Sequence, residues 1–308
     1  MQTERAVATS VKPIGEREFG LFQKLIYKSA GIHLSAAKRA LLESRLTKRI
    51  RELGLDSFSA YYDYLVHDSG CAELGELLDR IATNETHFFR EPRQFDFLEE
   101  RMFGQWQGEA ASGARSKHLR VWSAGCATGE EPFSVAMTLL DHFPARAGWR
   151  IEILATDLSS RALRAARAAV WSVAKAKEIP PGYLKRFMLR GTGSQQGNMK
   201  AGPEILGAVR FEQLNLHDEV YPSIGSFDLI LCRNVLIYFD AASRAGVIER
   251  LLNHLVPTGY LFVGHAESLA AMSERVRYVV PTVYRHAAAE PPNRAAAVEH
   301  SWEARANR

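Results

Sequence analysis

Along residues 16 to 82 the apolar positions recur at three- and four-residue intervals. EREFGLFQKLIYKSAGI sets Phe19, Phe22, Leu25, Ile26 and Ile32 near helical spacing and stops at Gly31. SAAKRALLESRLTKRIRELG opens on a serine suited to capping, carries Leu42, Leu46, Ile50 and Leu53 on one stripe, and stops at Gly54. DSFSAYYDYLVHD and AELGELLDRIA add two shorter helices. From about residue 118 the rhythm changes. The short apolar runs HLRVWSA, RIEILATD, FDLILC and GYLFVGH alternate with helical EEPFSVAMTLLDHF, SSRALRAARAAV and AASRAGVIERLLNHL. That alternation predicts an α/β domain whose parallel sheet is covered on both faces.

These patterns divide the chain into an N-terminal tail (1–15), a helical domain (16–90), a helix begun by Pro92 with a linker (91–117), and the α/β domain (118–286). Within the linker, GQWQGEAASGARSK (104–117) reads as an exposed connector. MLRGTGSQQGNMKAGPEILGAVRF (188–211) holds five glycines and no long helical period, which predicts a small β insertion. The Ala-, Pro- and charge-rich end, 287–308, reads as disordered.

Composition changes this picture little. The 308 residues suit two domains better than one core. The apolar share of 46% and charged share of 24% are those of a soluble globular protein, and a net charge of +4 is too small to imply nucleic acid. Cys71, Cys126 and Cys232 are far apart, with no CxxC, so neither a disulfide framework nor a metal site is expected. MQTERAVATSVKP lacks the apolar core of a signal peptide, and no run approaches the roughly 18 residues of a membrane span. A cytosolic protein without membrane insertion is expected.

The candidate chemistry starts at VWSAGCATGEEPFSVAM (121–137), a strand, a turn on Gly125 and Gly129, and a helix. A phosphate cradle needs Lys and then Ser or Thr after its last glycine, and here Glu130-Glu131-Pro132 follows. A dinucleotide site would set its pyrophosphate against those same acids. An adenosyl ligand with a positive centre and no phosphate, S-adenosylmethionine, suits them. Glu130 is the expected contact, with Glu131 serving the helix N-terminus. The next strand ends at Asp157, 28 residues beyond Gly129, where a carboxylate can bind both ribose hydroxyls or, equally, cap the helix beginning SSRAL. Cys126 reads as a small residue in a tight turn.

Two further stretches are too polar for packing alone. TNETHFFRE (83–91) follows the helical domain, with Arg90 offering a fork for a carboxylate. FDLILCRNVLIYFD (227–240) runs an apolar strand into Arg233-Asn234, where strand ends meet the cleft of an open α/β sheet, with Tyr238-Phe239 as an aromatic lip.

Together, TNETHFFR, SAGCATGEEPFS, ATDLS, FEQLNL, FDLILCRNVLIYFD and GYLFVGHAESL resemble, in order over residues 16 to about 285, the chemotaxis receptor methyltransferase family, CheR. The resemblance implies a Rossmann-like S-adenosylmethionine-dependent methyltransferase domain with an inserted β subdomain, preceded by an all-α domain. It implies that Asn84, Thr86, Arg90, Glu130 and Asp157 contact the cofactor, and points also to Asn215-Leu216 and Arg233-Asn234, beside the turn glycine Gly125. Ala127 departs from the serine common at its position. The implied reaction is O-methylation of glutamate side chains on the cytoplasmic helical bundle of chemoreceptors, leaving S-adenosylhomocysteine. The acceptor is already ionised at neutral pH, so no strong base is needed. Arg90, Arg233 and Tyr238, with Asn234, are the expected polar lining of the cleft.

Lys38, Arg45, Lys48 and Arg49 belong to a basic helix that can meet an acidic receptor bundle, with charge steering the encounter. RGTGSQQG, with Arg190, Gly191, Gly193 and Gly197, resembles the subdomain that in some members docks the receptor's C-terminal peptide. A monomer is expected. The alternatives are a non-catalytic S-adenosylmethionine-binding adaptor and a nucleic-acid methyltransferase. The second lacks both a Pro-Cys nucleophile and N-P-P-[YFW] here, and the basic residues carry no interleaved aromatics.

Overall fold

The computed structural model describes residues 11–67, 70–269 and 273–287; the expected tails fall largely outside these residues. α1 (Glu16–Ala30) ends at Gly31, whose φ of +66° lets its N–H reach Tyr27 O at 2.7 Å. A Cβ there would lie 2.5 Å from His217 Nδ1, so glycine is also required by the neighbouring domain. α2 (Arg39–Glu52) is entered through a 3₁₀ turn, Ala36–Lys38, and Ser35 makes no side-chain cap. α3 (Phe58–His67) and α4 (Gly70–Ile81) complete the helical domain. Phe22 stacks on Tyr61 at 6.0 Å and meets the edge of Phe58 at 6.3 Å, with Leu42, Leu46 and Ile50 buried beside them. Each such burial is worth about 1.5–3 kcal/mol.

α5 (Pro92–Phe97) continues through a π turn, Leu98–Met102, into α6 (Phe103–Ala111). The expected connector at 104–117 is therefore helical through Ala111. Phe103 and Trp106 are buried against Phe143, whereas Gly104 and Gly108 face open space and give the stretch its linker-like composition.

The sheet domain follows as β1 (His118–Ala124), α7 (Glu130–His142), β2 (Arg150–Asp157), α8 (Ser160–Ala168), β3 (Val170–Ser172), α9 (Pro181–Phe187), β4 (Met188–Arg190), β5 (Asn198–Ala201), α10 (Pro203–Leu206), β6 (Val209–Gln213), β7 (Phe227–Cys232), α11 (Ala241–Asn253), β8 (Leu255–Val263), β9 (Val276–Val280) and β10 (Val283–His286). The main sheet runs β6-β2-β1-β7-β8-β10-β9. Its first five strands are parallel, and β10 pairs antiparallel with both β8 and β9. That closing hairpin is an addition to the expected parallel sheet.

The insertion also differs from expectation. β3, β5 and β4 form a separate three-stranded antiparallel sheet that begins at Val170, while β6, which starts inside the expected 188–211 segment and runs past it, is the edge strand beside β2. Val209 and Phe211 pack on the main core, which is what recruits β6 there. No helix among the described residues is long and apolar enough to cross a membrane.

The carboxyl ends of β1, β2, β7 and β8 share one edge of the sheet, and the helical domain roofs it. Tyr27 donates to Asp240 at 2.9 Å, Asn215 to Ser29 O at 2.8 Å, and His33 N–H to Tyr238 O at 2.8 Å. On the far side Ser160 donates to Asp79 at 2.8 Å.

Candidate active site

Between roof and sheet lies a cavity of about 390 Å³. Gly125 and Gly129 make it possible by turning the chain after β1 with φ of +91° and +96°. A Cβ on Gly125 would stand 2.3 Å from Val235 Cγ2, so the turn packs directly on the loop after β7.

Asp157 forms the floor. It is buried at the end of β2, with Oδ2 accepting the Ala127 N–H at 2.9 Å and Oδ1 the Ser159 N–H at 2.8 Å. The cap of α8 is Ser159, which accepts from Ala162 N at 3.0 Å, so Asp157 is not the capping residue. Asp157 also borders the cavity. Burial pushes its carboxyl above the usual aspartate value, opposed by these N–H groups. The Cys126 thiol is likewise pushed well up by burial, with Asp157 and Glu131 adding to the rise, which makes it no nucleophile.

The structure places the two glutamates differently from expectation. Glu131 lines the cavity, accepts from Ser123 Oγ at 2.7 Å and pairs with Arg233 Nε at 2.6 Å. Glu130 turns away, held by Lys175 Nζ at 2.5 Å and Thr128 Oγ1 at 2.6 Å, and is not among the lining residues. Lys175 also reaches Thr86 O at 3.0 Å, so this pair fastens the TNETHFFRE segment (83–91) to α7.

Arg233 is likewise no free cation. Its side chain is 1% exposed, and Nη1 donates to Arg90 O at 2.6 Å and Gln94 Oε1 at 3.0 Å. Among the expected lining residues, Asn84, Thr86, Arg90, Asn215, Leu216, Asn234 and Tyr238 all border the cavity. The Asn215 amide is spent on Ser29 O and Asp218, so it clamps the roof. Arg90 donates to Glu85 O at 3.3 Å and keeps further donors free. Asn234 sits at φ +58°, with Oδ1 buried and unpartnered among the described residues.

The basic helix is also partly redirected. Arg49 forks onto buried Glu73 at 2.9 and 2.6 Å, and Arg45 bonds Ile81 O and Thr83 Oγ1, so both are occupied within the fold. Lys38 reaches the cavity rim over the Tyr238 ring at 5.8 Å, and Lys48 is exposed. Arg190, Gly191, Gly193 and Gly197 lie outside the cavity, at the hairpin between β4 and β5. Sequence reasoning missed Leu41 and Ile237, exposed apolar residues on the rim, one from each domain. It also missed Gln94, Lys175 and Glu267, for which only an acid three residues past Gly264 at a strand end gave a signal.

A model of the CheR methyltransferase all-alpha domain matches residues 17–82, and one of the CheR methyltransferase SAM binding domain matches 84–284. The chain is 36% identical over 274 residues to the chemotaxis protein methyltransferase of Borreliella burgdorferi, covering 88% of this chain and 95% of that one. It is also 36% identical to that of Salmonella typhimurium, covering 88% and 90%. Among solved structures, the glycopeptide N-methyltransferase MtfA complexed with S-adenosylmethionine aligns at 21% identity and a TM-score of 0.30, over 58% of this chain and 64% of that one.

Proposed function

Because this chain belongs to the CheR methyltransferase family, we propose that it methylates glutamate side chains on the cytoplasmic helical bundle of chemoreceptors. The observation that carries the reading is buried Asp157 at the floor of a cleft of about 390 Å³. That floor fits a ribose diol, and the adjoining Glu131 disfavours a phosphate, so the residues present fit an adenosyl ligand. When bound, S-adenosylmethionine supplies a methyl group on a cationic sulfur.

The chain's own residues then divide the work of binding. Asp157 takes the ribose hydroxyls, Arg90 offers its free donors to the ligand's carboxylate, and Glu131 sets negative charge beside the cationic centre. Asn84 and Thr86 wall the same pocket, and Asn234 Oδ1 is an acceptor awaiting a donor. The incoming glutamate is ionised at neutral pH. The rim therefore has only to strip its water and align it. Leu41 and Ile237 exclude solvent, Lys38 attracts the carboxylate, and the Tyr238 hydroxyl, near that rim, is placed to orient it.

The hairpin at 190–197 lies on a separate three-stranded sheet in which β4 is an edge strand, with Leu189 exposed. A receptor C-terminal peptide can extend such an edge. Lys48 on α2 supplies charge to the encounter with an acidic bundle.

Incubation with labelled S-adenosylmethionine and chemoreceptor-containing membranes tests the reading, with base-labile methyl on receptor glutamates as the expected result. Binding without transfer would leave a non-catalytic adaptor, and label on DNA would turn the reading to nucleic acid.

A further inference from the structure

Among the described residues, Glu267 is after Glu130 the most deeply buried acid outside the cleft lining. It lies 2% exposed in the turn that follows β8. Its Oε2 accepts the Asn234 N–H at 2.7 Å and the Gly264 N–H at 2.6 Å, and its Oε1 accepts the Ile237 N–H at 3.1 Å. Burial pushes this carboxyl up, and the backbone N–H groups of Gly264, Asn234, Ile237 and Leu236 oppose the rise. No lysine or arginine is hydrogen-bonded to it among the described residues, so backbone amides alone meet the charge.

Two of those amides belong to the cleft wall. Asn234, Val235, Ile237 and Tyr238 all line the cavity. Asn234 holds the left-handed conformation that side chains rarely adopt, and its N–H has no strand partner there. Glu267 supplies the acceptor that this conformation needs. The Ile237 bond does the same for the 3₁₀ turn Leu236–Tyr238, which carries Tyr238 to the rim. The segment after β8 that carries Glu267 is itself tied to Glu91, whose Oε1 accepts the His265 N–H at 3.1 Å.

We propose that Glu267 is a positioning residue of the methyltransferase site, holding Asn234 and the Leu236–Tyr238 turn in the arrangement that receives the cofactor and presents Tyr238 to the substrate. This rests on the reading of the cleft as an S-adenosylmethionine site. The isosteric E267Q separates the two jobs. With its oxygen at the Oε2 position it keeps Asn234 and Gly264 but turns an amide donor toward the Ile237 N–H. E267A loses all three bonds.

The test measures S-adenosylhomocysteine affinity by calorimetry, thermal midpoint, and hydrogen exchange of the 233–238 amides in the ligand-free protein. E267A is expected to weaken affinity about tenfold or more, equivalent to about 1.4 kcal/mol, at temperatures where it remains folded. E267Q is expected to speed exchange at Ile237 more than at Asn234 and to lower kcat more than affinity. In an N234A background E267A is expected to add less than about twofold to the affinity loss, because Glu267 holds the backbone N–H that places the Asn234 side chain, and N234A has already removed that side chain. Wild-type affinity in folded E267A, or losses that simply multiply with N234A, would overturn the proposal.

If E267A does not fold, G264A serves in its place. Its methyl would stand 2.8 Å from Glu267 Oε2 and 2.7 Å from Asn234 Nδ2, with Glu267 intact. Unchanged affinity and exchange there would overturn the proposal equally. Failure of the wild type to bind S-adenosylhomocysteine would instead sink the reading of the cleft, and exchange in the ligand-free protein would still decide the Glu267 contact.

Discussion

In the helical domain Arg49 forks onto Glu73 at 2.9 and 2.6 Å; in the sheet domain Arg233 meets Glu131 at 2.6 Å. The chemistry is the same and the surroundings are not. Arg49 is 24% exposed at its side chain, reaches Glu52 at 3.4 Å, and shares Glu73 with the Tyr61 hydroxyl at 2.9 Å. Every partner lies within one domain. Arg233 is 1% exposed and joins α7, the loop after β7 and the linker at Arg90, while its glutamate borders the cavity. The first pair fixes how helices pack, and the second fixes how the cleft walls meet. Burial of an ion pair does not mark a site; the open face of its carboxylate does.

Removing one partner sharpens the contrast most. Glu131→Ala strands a buried guanidinium and is expected to cost about 3–5 kcal/mol in urea unfolding, together with S-adenosylhomocysteine affinity. Glu130→Ala is expected to spare that affinity by comparison, and the reverse order would restore the role first expected of Glu130. Glu73→Ala is expected to cost less, about 2 kcal/mol, since Arg49 can turn toward water and Glu52. Cofactor affinity is expected to stay at the wild-type value, and a drop there would erase the distinction between the pairs.

Acid offers a further cut between them. Asp157, raised by burial from 3.8, gives a stability contribution that is present below that value and lost as pH rises through its raised one. Acidification is therefore expected to weaken ligand binding, because the ribose acceptor is protonated, while this group alone favours the fold. Glu73 runs the other way. Burial raises it, but the Arg49 and Tyr61 bonds prevail and hold it below the usual glutamate value. Its contribution is present above the ordinary value and lost as pH falls through the lowered one. Calorimetric affinity that does not fall as acid protonates Asp157 would remove it from the ligand. The smallest effect is expected of Lys48→Glu, about a two- to threefold slowing of receptor methylation at low salt, with cofactor affinity intact. Equal rates at low salt would take α2 out of the encounter.

The sequence showed the strands and helices around the cleft because short apolar runs alternate with helical stretches and their ends carry glycine or Asp, as at Gly31, Gly125 and Asp157. It could not orient Glu130 and Glu131. Residues 130–140 of α7 are buried without interruption, so no polar face fixed the phase of the helix. Nor could it tell free arginines from spent ones, because Arg49 and Arg233 find their partners 24 and 102 residues away. The 104–117 stretch misled because two of its three glycines, Gly104 and Gly108, lie on the solvent side of a helix whose buried face is only Phe103 and Trp106.

The peptide between the domains is itself part of the cleft. Residues 82–87 and Arg90 line it, Arg90 O is held by Arg233, and Thr86 O by Lys175. A chimera that gives this catalytic domain a relative's helical roof must therefore be spliced before Ala82, with the roof's Tyr27, Ser29 and Asp79 contacts retained. A splice in the low-complexity stretch near residue 110 would cut a helix and graft a foreign wall onto the binding pocket.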